Sequence, residues 1–553
     1  KDMINNYKIQ LKVFSLFVLS VLISCNTPSK KTYELGNAKL EVTGNTEAKA
    51  FFDKGLLLLH SFEYDDAEEA FVAAQAEDST MAMAYWGEAM TYNHPLWRYQ
   101  NYDKGVEAIT RLGVTKEIRT KKIATQLEQD LFEAMEIMYG EGTKYDRDVA
   151  YSAYLATLYR KYPENLEVAA FYAISLLGSV KEGRDEETYE KGAIIAQGIL
   201  NENPSHPGAL HYLIHSFDDP KNASRALDAA NSYATVAKDA GHALHMPSHI
   251  YVSMGMWKEV VASNEASYQA SINRMERKEL DNDARGYHAY HWLMYGYLQQ
   301  GRYKEAFDIL KNTQQYAIEK PSRRARSYVI YMENTYLTET NDWLNPINDL
   351  EVDESKINVR SAAKLAFSDG VKAYLNNDQE LLAKQVARIE NDLQKAVGQL
   401  ETRGVAMCGG SWMYAAPNQQ DIDEASVIQL ELQALVAVSN KDAVVAEKFF
   451  LEATTLEDNI SFSFGPPIIA KPSHEMYADW LLAQKRPNDA LVEYNKALEK
   501  GPNRVLSLFG RLKAAKALNN TELLSTTQNL LEEILQFADT DSLTNLEKSG
   551  IFI

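Results

Sequence analysis

The chain is poor in cysteine. Its 553 residues hold two, Cys25 and Cys408, which excludes a disulfide framework and a thiolate-rich metal site. A bound metal would have to rely on imidazole, carboxylate or thioether groups. Positive charge is scarce as well: 57 Lys and Arg stand against 77 Asp and Glu, for a net charge of −20. Nucleic-acid backbones are held by clustered Lys and Arg, so no nucleic-acid partner is expected. Beyond the first 24 residues no apolar run approaches the roughly 20 residues needed to span a bilayer. Strand signals are almost missing. So are a glycine-rich phosphate loop of known spacing, a Gly-x-Ser-x-Gly elbow and an HExxH zinc motif.

Histidine is present in a pattern. Seven of the eleven histidines fall between Pro207 and Gln300: His211, His215, His242, His245, His249, His288 and His291. His211 and His245 are 34 residues apart, and so are His215 and His249. Thirty-four residues is the period of the tetratricopeptide repeat, a helix–turn–helix unit that stacks into a superhelix. The rest of the chain keeps that pattern. Gly55, Leu58, Ala67, Phe71 and Ala74 alternate small and large as two packed helices require. Pro163 and Pro204 stand where helices should stop. Pro207 suits a first turn, and so does Pro220 with Asp218 or Asp219 as its cap. Gly301–Ala306 reads as an inter-helix turn, and Ala478, Ala490, Tyr494, Ala497 and Pro502 spell a late repeat. The expected fold is therefore an all-α tetratricopeptide-repeat solenoid. Departures from the period are Lys181–Glu187, the 46-residue step from Gly241 to Tyr287, and two loops, Gly404–Gln420 and Asn459–Pro472. Long loops in compact arrays often carry function, and surface insertion is the plain alternative.

The expected organisation has six parts: a leader over 1–24, a tether over 25–45, N-terminal repeats over 46–206, central histidine-rich repeats over 207–320, C-terminal repeats over 321–538 and a frayed tail over 539–553. Lys8 and Lys12 precede an apolar run, Val13–Ile23, of signal-peptide length. It ends in Leu22-Ile23-Ser24-Cys25, which resembles the lipobox of bacterial lipoproteins. That resemblance implies cleavage before Cys25, its lipidation, and attachment to a membrane through the lipid. Asn26 after the cysteine resembles lipoproteins free of a retention signal, and that resemblance implies the outer membrane, facing the periplasm.

Counted from the start of each first helix, His211/His215 and His245/His249 hold the fifth and ninth places. His291 holds a fifth place with Tyr295 at the ninth, and His242 and His288 hold second places. These positions share one helical face, which in such repeats lines the concave groove. A histidine pair at i and i+4 can grip one ion, and seven imidazoles can furnish two ions with three ligands each. Pro247 disfavours an unbroken helix between His245 and His249, so that pair is less firmly placed. Fainter groove candidates are His60 and His94, at late helix positions, and Glu475 and Asp479, at fifth and ninth places downstream. Met254, Met256 and Met294 are either soft copper ligands or core filling.

The blocks HPGALHY, GHALHMPSHIY, HAYHWLMYGYLQQGRY and KPSHEMYADWLL resemble a widespread bacterial group of tetratricopeptide-repeat proteins. The resemblance covers most of the chain after the tether; it implies the fold and singles out these blocks, and it names no reaction. The expected function is a histidine-rich transition-metal site, copper or zinc before iron, for storage, delivery or metal-dependent chemistry. The alternative is a metal-free scaffold that binds a protein or peptide in its groove. Ordinary aromatic groove lining and a pH-sensitive patch compete for the same residues. Ligating imidazoles must be neutral, so affinity is expected to fall below about pH 6.5.

Overall fold

Small and large residues alternate along the first two helices, Thr46–His60 and Tyr64–Glu77, and this fixes their packing. Gly55, Ala67 and Ala74 are buried and let the axes approach, while Leu58 and Phe71 fill the gap. The computed structural model describes residues 33–343, 357–399 and 417–540. The chain divides into Lys1–Glu34 and a unit, Leu35–Ile553, that holds all the described helices. That unit is an all-α, tetratricopeptide-repeat-like superhelical solenoid, as the period predicts. Helices pack on their successors, and first helices pack on first helices. Examples are Thr46–His60 on Ala82–Thr91, Tyr287–Gln299 on Arg323–Thr340 and Ser473–Ala483 on Val505–Ala517. Among the described residues the only β structure is a two-residue antiparallel bridge, Asn93–His94 with Tyr99–Gln100. No described helix is long and apolar enough to cross a membrane.

Local signals set most of the helix ends. Thr125 and Thr143 form capping boxes with Glu128 and Asp146. Lys144–Lys161 stops before Pro163, and Glu186–Glu202 stops before Pro204. The twelve residues over period between Gly241 and Tyr287 are absorbed by a 21-residue helix, Trp257–Arg277, and a 3₁₀ turn, Asn282–Ala284. Pro220 differs from expectation: it opens no helix. Asp219 accepts the amides of Lys221 and Asn222, a 3₁₀ turn follows over Ala223–Ala226, and the helix begins at Leu227. Asp218 is thereby released from capping.

Both ends of the array fold back onto its middle. Thr46–His60 packs on Pro207–Phe217. Trp257 Nε1 donates to the Asn503 carbonyl at 2.9 Å, and Asp539 N donates to the Gly301 carbonyl at 3.0 Å. Asp539, expected to begin a frayed tail, is thus pinned. The inner wall that carries the histidines is consequently covered. The leader, Cys25, Cys408, the loop from Gly404 to Ala416 and the tail beyond Thr540 lie outside the described residues.

Candidate metal centre

Six of the seven central histidines form two groups of three, in each of which one ring nitrogen per residue lies within 4.8 Å of the others. His211, His215 and His242 make the first group; His245, His249 and His288 make the second. The repeat explains the grouping. Fifth and ninth places of one first helix meet the second place of the next, because neighbouring first helices lie side by side. The rule also explains the seventh histidine. His291 and Tyr295 would need a ligand at the second place of Arg323–Thr340, and that residue is Arg324, a cation. His291 therefore departs from the expected wall of seven: its Nε2 lies 2.9 Å from Thr335 Oγ1 instead.

Pro247 does less damage than expected. The chain forms two short helices, Gly241–His245 and Pro247–Ser253, but Met246 between them is itself right-handed helical. His245 and His249 keep their i,i+4 relation, with ring centroids 5.0 Å apart against 4.9 Å for His211 and His215.

The outer nitrogen of several rings faces a fixed acceptor. His211 Nδ1 lies 2.8 Å from the His60 carbonyl. His215 Nδ1 and His249 Nδ1 lie 3.0 and 3.1 Å from the same oxygen, Asp218 Oδ2. His245 Nδ1 lies 2.7 Å from Asn264 Oδ1, an amide whose orientation is set because its Nδ2 donates to the Val260 carbonyl. Carbonyls and carboxylates accept only, so these four rings carry their proton on Nδ1 and present a lone pair at Nε2. The consequence is unfavourable without a cation: His245 Nε2 and His249 Nε2 face one another at 3.2 Å. Two metal–nitrogen bonds of 2.0–2.1 Å at a tetrahedral angle place their nitrogens about 3.3 Å apart. Nε2 of His211, His242 and His288 is buried with no hydrogen-bond partner.

Asp218 joins the two groups. It is fully buried and is gripped by Arg184, which also donates to the Ser216 carbonyl at 2.8 Å. Burial opposes its ionisation, but Arg184 and the two imidazoles hold its carboxyl well below the usual range. Arg184 comes from Lys181–Glu187, so that insertion supplies a clamp. Burial, the largest cause, pushes His211, His242, His245 and His288 well below the ordinary imidazole value. It pushes His249 down to about 4 against the pull of Asp218. These four rings and His249 are neutral at pH 7, which is the ligating form.

Aromatic rings seal the site. Phe62 packs on His211 at 4.2 Å, and Trp292 stacks on His249 at 4.8 Å. Phe464, from the Asn459–Pro472 loop, packs on His249 at 4.2 Å. Phe62 holds a left-handed backbone, φ 55°, uncommon for a bulky residue and found where structure elsewhere enforces it. Gly465 has φ +104°, and a Cβ there would meet the Trp292 ring at 2.5 Å. Only glycine lets the loop lie this close.

A further group, His60, Glu167 and His206, also has metal-compatible spacing, but three of its four ring nitrogens face protein partners. His60 Nε2 lies 2.7 Å from Glu167, and its Nδ1 lies 2.8 Å from Tyr212 Oη. His206 Nδ1 accepts the Ala209 amide as a helix cap. Its Nε2 lies 3.2 Å from Glu167, within ion-pair range but off the line of a hydrogen bond. His60 thus reaches the centre through its carbonyl, as a support for His211. His94 differs from expectation: it lies beyond its helix, in the β bridge, where it stacks on Tyr64 at 3.9 Å. Tyr295, Glu475 and Asp479 also lie in other networks. Arg504 bonds Glu475 at 2.8 Å and Tyr295 Oη at 3.2 Å, while Asp479 pairs with Lys471 at 2.6 Å. Met294 is buried in one core cluster, and Met254 and Met256 are half-buried against the other. Sequence reasoning missed Asp218, Arg184, Asn264, Glu167 and His206 as parts of this region. Asp218 alone left a signal, three places after His215.

No family model matches the chain, and no curated protein matches it in sequence. Among solved structures it is similar to yeast Tom70, at 12% identity and a TM-score of 0.33, over 87% of this chain and 96% of that one. It is also similar to the Cut9-Hcn1 hetero-tetramer of APC/C, at 13% identity and a TM-score of 0.34, over 94% of this chain and 81% of that one. A monomeric IFIT1 mutant with Gppp-AAAA gives 13% identity and a TM-score of 0.33, over 89% and 92%. These likenesses concern helical architecture and leave the site to its own geometry.

Proposed function

We propose that the two histidine groups each hold a transition-metal ion, on a lipid-anchored repeat protein of the bacterial cell envelope. One observation carries the metal reading: four rings turn Nδ1 to fixed acceptors, which aims their Nε2 inward, where His245 and His249 Nε2 lie 3.2 Å apart and His211 Nε2 is buried with no hydrogen-bond partner. Ligating histidines use this arrangement, and the outward acceptor raises ligand basicity. The nitrogen-rich donor set suits copper or zinc first and iron next. Three protein ligands per ion leave a position open, which favours metal-dependent chemistry over closed storage or delivery sites. The scaffold reading calls for an exposed polar wall, and the sealed histidines favour an ion instead. A protein or peptide partner would then engage other faces of the solenoid.

The envelope location rests on sequence alone. The lipobox-like Leu22–Cys25 supports lipidation at Cys25, and Asn26 supports the outer membrane facing the periplasm. The six-part organisation and membership of the bacterial group that shares the HMPSHI block belong to the same proposal. Radiolabelled fatty acid should enter the wild type and not Cys25→Ser; equal labelling would remove the anchor. For the metal, elemental analysis of protein purified without a His-tag should find stoichiometric copper, zinc or iron, reduced in His215→Ala and His249→Ala. A wild type that takes up none of the three when offered them would return the protein to the scaffold reading. Metal retained in both variants would move the site elsewhere.

A further inference from the structure

A pocket of about 760 Å³, counting its open mouth, lies against the second histidine group. One end is His288, Trp292 and Phe464. His288 belongs to the group, and the two aromatic rings pack on His249. The other end carries Tyr331, Arg360 and Lys364. The two cations differ in what they already hold. Arg360 lies 3.3 Å from Glu424 and 3.7 Å from Asp421, and it donates to Tyr331 Oη at 3.2 Å. Lys364 is 6% exposed, and among the described residues no carboxylate comes within ion-pair distance of its Nζ. Burial lowers its amine, with Arg360 adding to that and the carboxylates of Glu424 and Glu431 pulling the other way. A buried ammonium with no direct ion pair is costly, and an arriving anion offsets that cost.

The walls between the two ends restrict the shape of that anion. Tyr331, Trp292 and Phe464 line the space between them, and an aromatic lining suits a planar apolar body. A single ammonium suits a monoanionic carboxylate better than a phosphate, which seeks several donors. We propose that the pocket binds a small planar carboxylate, its charge on Lys364 and its ring at the His288 end. The inference deepens the metal reading, because the ring would face the open position of the second ion; carboxylate binding by Lys364 stands independently of the ion.

The test uses benzoate and its neutral analogue benzamide, titrated by calorimetry into copper-loaded and chelator-stripped protein. Benzoate should bind both forms at least tenfold more tightly than benzamide, and Lys364→Met should abolish that preference. Benzoate should also shift the copper electron paramagnetic resonance spectrum of the wild type. Equal binding of the two probes, or no binding, overturns the pocket, and this comparison needs no variant to fold. A preference that survives Lys364→Met, or that occurs only with copper, places the carboxylate on the ion and overturns the assignment to Lys364. An unchanged spectrum overturns the placement of the ring. A protein that takes no copper yet prefers benzoate through Lys364 keeps the pocket and loses the metal reading.

Discussion

Two regions of this protein bury polar groups to the same depth with opposite bookkeeping. Around Arg504, which is 1% exposed, cation and anions satisfy one another: Glu339 at 2.5 Å, Glu475 at 2.8 Å, with Gln299 donating to Glu339 at 2.9 Å. Around Asp218 four rings turn Nδ1 to acceptors, and the Nε2 atoms of His245 and His249 point at each other. The first arrangement is complete as protein and ties the late repeats to the middle ones. The second has the spacing that could hold a cation. Proximity of polar residues therefore does not mark a site; the direction of unspent lone pairs does. The His60–Glu167–His206 group has similar spacing, but both His60 nitrogens face partners and Glu167 is already bonded to one of them.

The comparison can be broken most forcefully at Arg504. Arg504→Met strands two buried carboxylates and should cost about 3–5 kcal/mol in urea unfolding, with metal content per folded molecule unchanged. Loss of metal there would mean the two networks are one. Next, saturating metal should stabilise the wild type by about 2.7 kcal/mol at a hundred times its dissociation constant, read as a rise in melting temperature that chelator reverses. His215→Ala and His249→Ala should respond less, and Arg504→Met should gain as much as the wild type. Asp218→Asn is expected to weaken metal binding about 10–100-fold, measured by competition with a chromophoric chelator. An unaltered affinity would reduce Asp218 to a structural ion pair with Arg184.

The smallest effect belongs to His474, a paired histidine in the late repeats. Burial works against its charge, but Glu493 at 2.5 Å and Asp458 at 2.9 Å raise its pKa above the ordinary value. The folded state then holds the proton more tightly than the unfolded one. This stabilisation is full below about pH 6.5 and fades as pH rises through the raised value. His474→Gln should flatten that alkaline decline in a series of unfolding curves. An identical slope in both proteins would show that the pair contributes nothing.

Much of this was legible from residue order because the repeat is local physics. Helix stops at Pro163 and Pro204, the small–large packing of Gly55 to Ala74 and the 34-residue echo of His211/His215 in His245/His249 are facts of spacing. They sufficed for the solenoid and for histidines stacked on one wall. Spacing also overreached: it admitted His291 to the wall, because a fifth place looks alike in every repeat. What it meets depends on the second place of the following helix, and there Arg324 replaces a histidine. His94, Glu475 and Asp479 were likewise placed by register alone, while their partners lie on other elements.

The sequence by itself determined the periodic scaffold, the nitrogen-rich and thiolate-poor donor set, and the two i,i+4 pairs, since each follows from neighbours within about one repeat. Only the tertiary structure decided that six histidines divide three and three, that Asp218 faces outward nitrogens on both sides, and that Phe464 closes the centre from more than 200 residues away. The reason is geometric. A helix fixes which side chains share its face, but which lone pairs face each other depends on how the superhelix winds, and that is set by packing summed over the whole array.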